Sequence, residues 1–242
     1  LLRNPMYHWS HLELARYFGI EDILLSGDTA QTIWDRTAER LRAPDFSARS
    51  LMRRSNVRVV CTTDDPTDTL EHHAALAADA SFDIRVLPAW RPDKGFAIGN
   101  TRAWNAWVDT LGERADVSIS TFSDFMDALA RRHAFFESMG CRLSDYGLET
   151  VYAEPCTEAE VSAIFARARG GDDLDPESVI RFKSHMLYRC GRMDAASDWT
   201  WQIHYNALRN NNTRMFQALG PDTGFDSIGD WPQARPLAGY LG

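Results

Sequence analysis

Short β-branched runs that alternate with capped helices constrain this 242-residue chain more than any other feature. Residues 56–62 form a compact β-branched run, and Asp65-Pro66 behind it offers an N-cap and a proline at the first helical position. Residues 82–87 repeat the strand pattern and 200–204 give the next clear one, with 141–144 a weaker candidate between them. The connections are too long for hairpins, so the pattern predicts a parallel sheet and an α/β class.

Helix signals fill the intervals. Ser10 with Glu13 and Thr157 with Glu160 read as capping boxes, Asp175-Pro176 as another capped start, and Gly19, Gly140, Gly170 and Gly191 as stops. Apolar spacing predicts helices over 12–18, 29–41, 47–54, 101–111 and 121–139, so residues 96–140 read as a helical excursion between strands. With no repeat, low-complexity tract or Gly/Ser linker, one compact unit or part of one is expected.

The chain is 44% hydrophobic and 25% charged, enough for a packed core. Its net charge of -8, with both signs interspersed, gives no footprint for nucleic acid or an anionic membrane. Cys61, Cys141, Cys156 and Cys190 are widely spaced, which predicts reduced, mostly buried thiols and a cytoplasmic setting. No run approaches the roughly 20 apolar residues that span a bilayer. The opening Leu1-Leu2-Arg3-Asn4-Pro5 resembles neither a signal peptide nor an initiator start, so the chain is expected to begin inside a longer one.

Each strand candidate is followed by polar residues: Thr62-Thr63-Asp64-Asp65, Trp90-Arg91-Pro92-Asp93-Lys94, Asp145-Tyr146, and His204-Tyr205-Asn206 through Asn212. In a parallel α/β fold the carboxyl ends of the strands share one face, so these clusters are expected to converge. Arg91 and Lys94 bracket a Pro-Asp turn, suiting a carboxylate ligand or a solvated surface pair. His204 is either a satisfied core histidine, the plainer reading, or an inward ligand at the mouth. Arg209 and Asn210-Asn211-Asn212 supply donors and acceptors for a polyhydroxylated ligand, or for a loop or helix cap. Trp90 is the aromatic residue placed to stack on a sugar, Asp65 reads first as a helix cap, and His72-His73 as a surface pair.

Five segments in order resemble the uronate isomerase family: Asn4 to Leu14, Thr62 to Pro66, Trp90 to Lys94, Ala207 to Asn212, and Gly220 to Ile228. The resemblance implies a distorted (β/α)8 barrel of the amidohydrolase superfamily, of which residues 1–242 are the central part and 96–140 a helical insertion. It implies isomerisation of D-glucuronate to D-fructuronate and of D-galacturonate to D-tagaturonate, assisted by a divalent metal ion, with zinc the first candidate. It implies Arg91 in substrate binding, with Lys94, Trp90, Arg209 and Asn210 around the hexuronate, and His204 as the metal-side and catalytic histidine. Self-assembly as a homo-oligomer is compatible with it.

The family's His-x-His pair and its Asp followed by Ser-Arg are not found in this chain, and the family often has His at position 146 and Gly at 206, where Tyr146 and Asn206 stand. The remaining metal ligands are therefore expected outside these residues. These 242 residues alone are predicted to be inactive and their parent active. Two other functions fit the same residues: a metal-dependent hydrolase of the same superfamily, and a sugar-acid binding module without catalysis.

Overall fold

The computed structural model describes residues 4–241; Leu1-Leu2-Arg3, part of the opening discussed above, lies outside the described residues. Two compact units divide the chain, one of residues 4–59 with 80–84 and one holding the rest.

In the first unit, α1 (Pro5–Glu13) begins at Asn4, whose side chain accepts the Met6 amide, with Pro5 at the first helical position. Ser10 is not the expected cap: it lies inside the helix and its hydroxyl donates to the Met6 carbonyl at 2.8 Å. The Asn-Pro start lies more than a turn earlier and satisfies the terminal amides first. A π-helical turn over Leu14–Phe18 ends at Gly19, whose φ of +66° a side chain would strain. Helices α2 (Ala30–Leu41) and α3 (Ala48–Arg54, capped by Ser47) complete this unit, with Leu14, Ile20 and Ile33 buried together.

The second unit takes up the chain within β1 (Val59–Cys61) and adds α4 (Glu71–Ala78), β2 (Arg85–Leu87), α5 (Asp93–Phe96), α6 (Thr101–Ala115) and α7 (Phe122–Ser138). Then come β3 (Leu143–Gly147), α8 (Glu158–Arg169), α9 (Pro176–Ala196), β4 (Thr200–His204), β5 (Ala207–Leu208), α10 (Thr213–Leu219), β6 (Ser227–Ile228) and α11 (Ala234–Leu241). Thr157 with Glu160 and Thr121 with Asp124 close complete capping boxes on α8 and α7, and Asp175 caps α9.

Strands β1 with β2 and β3 with β4 form two-stranded sheets that isolated bridges at Trp90 link in chain order. Strand β1 pairs with β2, and past their ends Asp64 bridges Trp90 in parallel, while Trp90 in turn bridges Ser144 of β3. The Asp64 amide donates to the Ala89 carbonyl and the Arg91 amide to Asp64, the slanted pattern of parallel strands. Strands β3 and β4 are parallel in a register running from Leu143 opposite Thr200 to Gly147 opposite His204. The expected mixed helix and strand architecture with parallel pairing is present. Against it α6, α7, α8 and α9 pack an aromatic core in which Trp104 meets Phe165 and Phe182 edge-on at ring distances of 5.4 and 5.9 Å.

Three local expectations are corrected. Asp65-Pro66 opens a turn: Asp65 accepts from the Thr67 amide and hydroxyl, and α4 starts only at Glu71, after Leu70 at φ +55°. Helix α9 runs through Gly191 to Ala196, because one interior glycine costs about 1 kcal/mol, too little to end a helix whose face is buried. The third strand lies at Leu143–Gly147 and not at 141–144. Among the described residues no helix is long and apolar enough to cross a membrane.

Candidate active site

Alternation along β3 sorts its side chains. Ser144 and Tyr146 point to the helices, where both are fully buried, and Asp145 points to the opposite face. On β4, in register, Gln202 and His204 share the Asp145 face, while Trp201 and Ile203 pack on the core.

Asp145 is the hub. Its Oδ1 lies 2.9 Å from His204 Nε2 and accepts the Gln202 side-chain amide at 3.1 Å. Its Oδ2 accepts from Arg91 Nη1 at 3.4 Å, and Arg91 Nε donates to Asp93 Oδ2 at 2.7 Å. The Gly147 amide donates to Asp93 at 3.0 Å. Two of the five guanidinium donors are thereby spent on fixing the plane of the fork. Burial pulls the Arg91 pKa down, but the bond to Asp93 and the charges of Asp93 and Asp145 outweigh it, and the group stays above its ordinary value. Burial pushes Asp93 above the usual carboxylate value, against the pull of Arg91 and of the Gly147 amide. Gly147 leaves room for this pair: a Cβ there would crowd Arg91 Nη2 and Asp93 Oδ2, so those side-chain ends would have to shift.

Arg91 and His204 thus meet at one carboxylate, as convergence of the strand ends predicts. Lys94 goes elsewhere, its Nζ 3.3 Å from Asp65, which also accepts from Trp107 Nε1 at 2.9 Å. Arg209 and Asn210 form a separate group: β5 pairs antiparallel with β6, and Asp226 accepts from the Arg209 guanidinium and the Asn210 amide. Among the described residues neither is hydrogen-bonded to Arg91, Asp145 or His204. Trp90 is a correction to the stacking expectation. Its ring has no exposure and packs edge-on against His133 and Phe136, since it lies one residue out of phase with the face that Arg91 reaches.

His72 is exposed as expected, but His73 is buried, its Nε2 2.7 Å from Thr62 Oγ1, which donates to Asp64. Of the four free thiols, Cys141 and Cys190 are buried, Cys156 is half-buried and Cys61 exposed, so the mostly buried expectation holds for only two. Asn206 sits at φ +70°, a conformation that suits glycine or asparagine, and its side chain accepts the Trp231 amide.

Sequence reasoning placed Asp145 among the converging strand-end residues without giving it a role, and missed Gln202, whose signal was parity with His204 on paired strands. The donors present do not by themselves fit a divalent ion. Among the described residues no group of three or more His, Cys, Asp or Glu converges, and His204 Nε2 already faces Asp145 and Gln202.

Fold and site together define a parallel α/β protein whose strand ends hold a carboxylate-braced arginine beside a histidine. The family profile for glucuronate isomerase matches residues 1–242, and the chain belongs to that family. A uronate isomerase of Cellvibrio japonicus is 50% identical over 241 residues, covering 100% of this chain and 51% of its own. One of Bacteroides thetaiotaomicron is 51% identical over 239 residues, covering 99% and 51%. The chain spans about half the length of the curated relatives it matches. Crystal structures of a uronate isomerase from Thermotoga maritima and a glucuronate isomerase from Caulobacter crescentus superpose with TM-scores of 0.89 each, at 34% and 25% identity. They cover 99% of this chain in both cases, and 52% and 49% of their own.

Proposed function

We propose that the protein containing this chain isomerises hexuronates between aldose and ketose forms, D-glucuronate to D-fructuronate and D-galacturonate to D-tagaturonate. The observation that carries the reading is the meeting of Arg91 and His204 at Asp145, in a chain of this family. Arg91 presents a fork held in plane for the substrate carboxylate. His204, its ring oriented by Asp145, holds or moves the proton that leaves C2 and returns at C1. Lys94, paired with Asp65 at the start of α5, lies outside this group.

The four parallel strands in chain order support one arc of a (β/α)8 barrel, with α6 and α7 as its helical insertion. Divalent-metal assistance, with zinc the first candidate, would need donors beyond those converging here, and no step above is routed through it. The four free thiols fit a reducing, cytoplasmic setting.

Incubation of the protein with D-glucuronate in heavy water tests the reading. A ketose product carrying deuterium at C1 supports it, and bond cleavage without exchange would assign a hydrolase instead. Tight uronate binding with neither reaction would leave a sugar-acid binding module.

A further inference from the structure

Behind β3, on the side away from Asp145, a second carboxylate is fully buried. Asp194 of α9 has no exposure, and its Oδ2 accepts from Ser144 Oγ at 2.7 Å and from Tyr146 Oη at 3.0 Å. These are the two residues that flank Asp145. Its Oδ1 lies 3.1 Å from His133 Nε2, and the His133 ring stacks on Trp199 at 3.7 Å. The Asp194 carbonyl accepts the Trp199 amide at 3.0 Å, at the entry to β4, which carries Gln202 and His204.

We propose that Asp194 is a positioning residue, gripping β3 on both sides of Asp145 and so fixing where Asp145 holds Arg91 and His204. Successive side chains on a strand face opposite ways, so holding residues 144 and 146 from behind sets the pleat at 145 and aims its carboxylate at the mouth. Packing of β3 on α9 does not call for a buried carboxylate, since apolar side chains of similar volume do that without desolvating a charge. Two donors on one oxygen tie the placement to polar geometry, which apolar contact leaves loose. The kinetic consequence rests on the isomerase reading; the geometric one does not.

Three substitutions in the full protein test it. Tyr146→Phe and Ser144→Ala each remove one bond from the Asp194 grip on β3, while His133→Gln disturbs the other oxygen and keeps both bonds to β3. The readouts are KM and kcat for D-glucuronate, the thermal midpoint, and the NMR resonance of the Gln202 side-chain amide, which donates to Asp145. Tyr146→Phe and Ser144→Ala are expected to move the Gln202 resonance and raise KM about tenfold. His133→Gln is expected to lower the midpoint with both unmoved. If Tyr146→Phe and Ser144→Ala lower the midpoint but leave the Gln202 resonance in place, Asp194 only packs and the proposal falls. Should the unsubstituted protein show no turnover, the isomerase reading fails by itself and the Gln202 resonance alone decides on Asp194.

Discussion

His204 Nε2 lies 2.9 Å from Asp145 Oδ1 because the two residues sit one strand period apart on the same face of paired parallel strands. Asp145 is opposite Gln202, and His204 is the next residue of β4 to point that way. Asp145 also takes Arg91, so one side chain on β3 orients groups contributed by β4 and by the residues after β2.

Asp145→Asn keeps the volume and removes the charge that both partners use. The expected outcome is a fall in kcat/KM for D-glucuronate on the order of 10²-fold, measured on the full protein. A variant within twofold of the parent would show that Asp145 has no part in the reaction.

Gly147→Ala is expected to act on the same group from another side. Its Cβ would stand 2.3 Å from Arg91 Nη2, so the guanidinium must leave its place between Asp93 and Asp145. Overpacking of this kind costs about 1–3 kcal/mol, and calorimetric titration with D-glucuronate should show weakened binding alongside a lower thermal midpoint. Unchanged binding would remove Arg91 from the substrate site.

The bounds of β4 and the caps of α8 and α9 were legible because their signals are local: a β-branched run, or an oxygen side chain one turn ahead of its amide. The pairing of Arg91 with His204 was legible only as convergence of strand ends. Asp145 was legible as a strand-end residue, but its place at the centre of the group was not, because β3 alternates Ser, Asp and Tyr and neither of its faces reads as apolar. The misplacement of Trp90 is a parity error, since one residue along a strand reverses the face and only the neighbouring strands fix which face is inside. His73 was misjudged for a similar reason: its burial depends on Thr62 and Asp64, which come from the residues after β1.

Trp90→Phe separates core from ligand roles. The indole is buried and its Nε1 has no hydrogen-bond partner among the described residues, so the change loses packing area but also removes an unsatisfied donor. A net loss of about 1–3 kcal/mol in urea unfolding, with D-glucuronate affinity unchanged, is expected. Affinity lost tenfold at preserved stability would restore Trp90 to the substrate site.

Acid pH probes the start of α7, the helix that carries His133. Asp124 accepts from the Thr121 and Ser120 amides and the Ser120 hydroxyl, and hydrogen bonding to these two residues lowers its pKa from 3.8 to about 2. A carboxyl depressed on folding contributes stability that is present above the unfolded value of 3.8 and lost as pH falls through about 2. Asp124→Ala removes that contribution at every pH. Urea unfolding at pH 5 should therefore find the variant less stable than the parent, and the gap should narrow steadily between pH 4 and pH 2. A gap that stays constant over this interval would mean that the charge on Asp124 does not stabilise the cap, and that only its shape does.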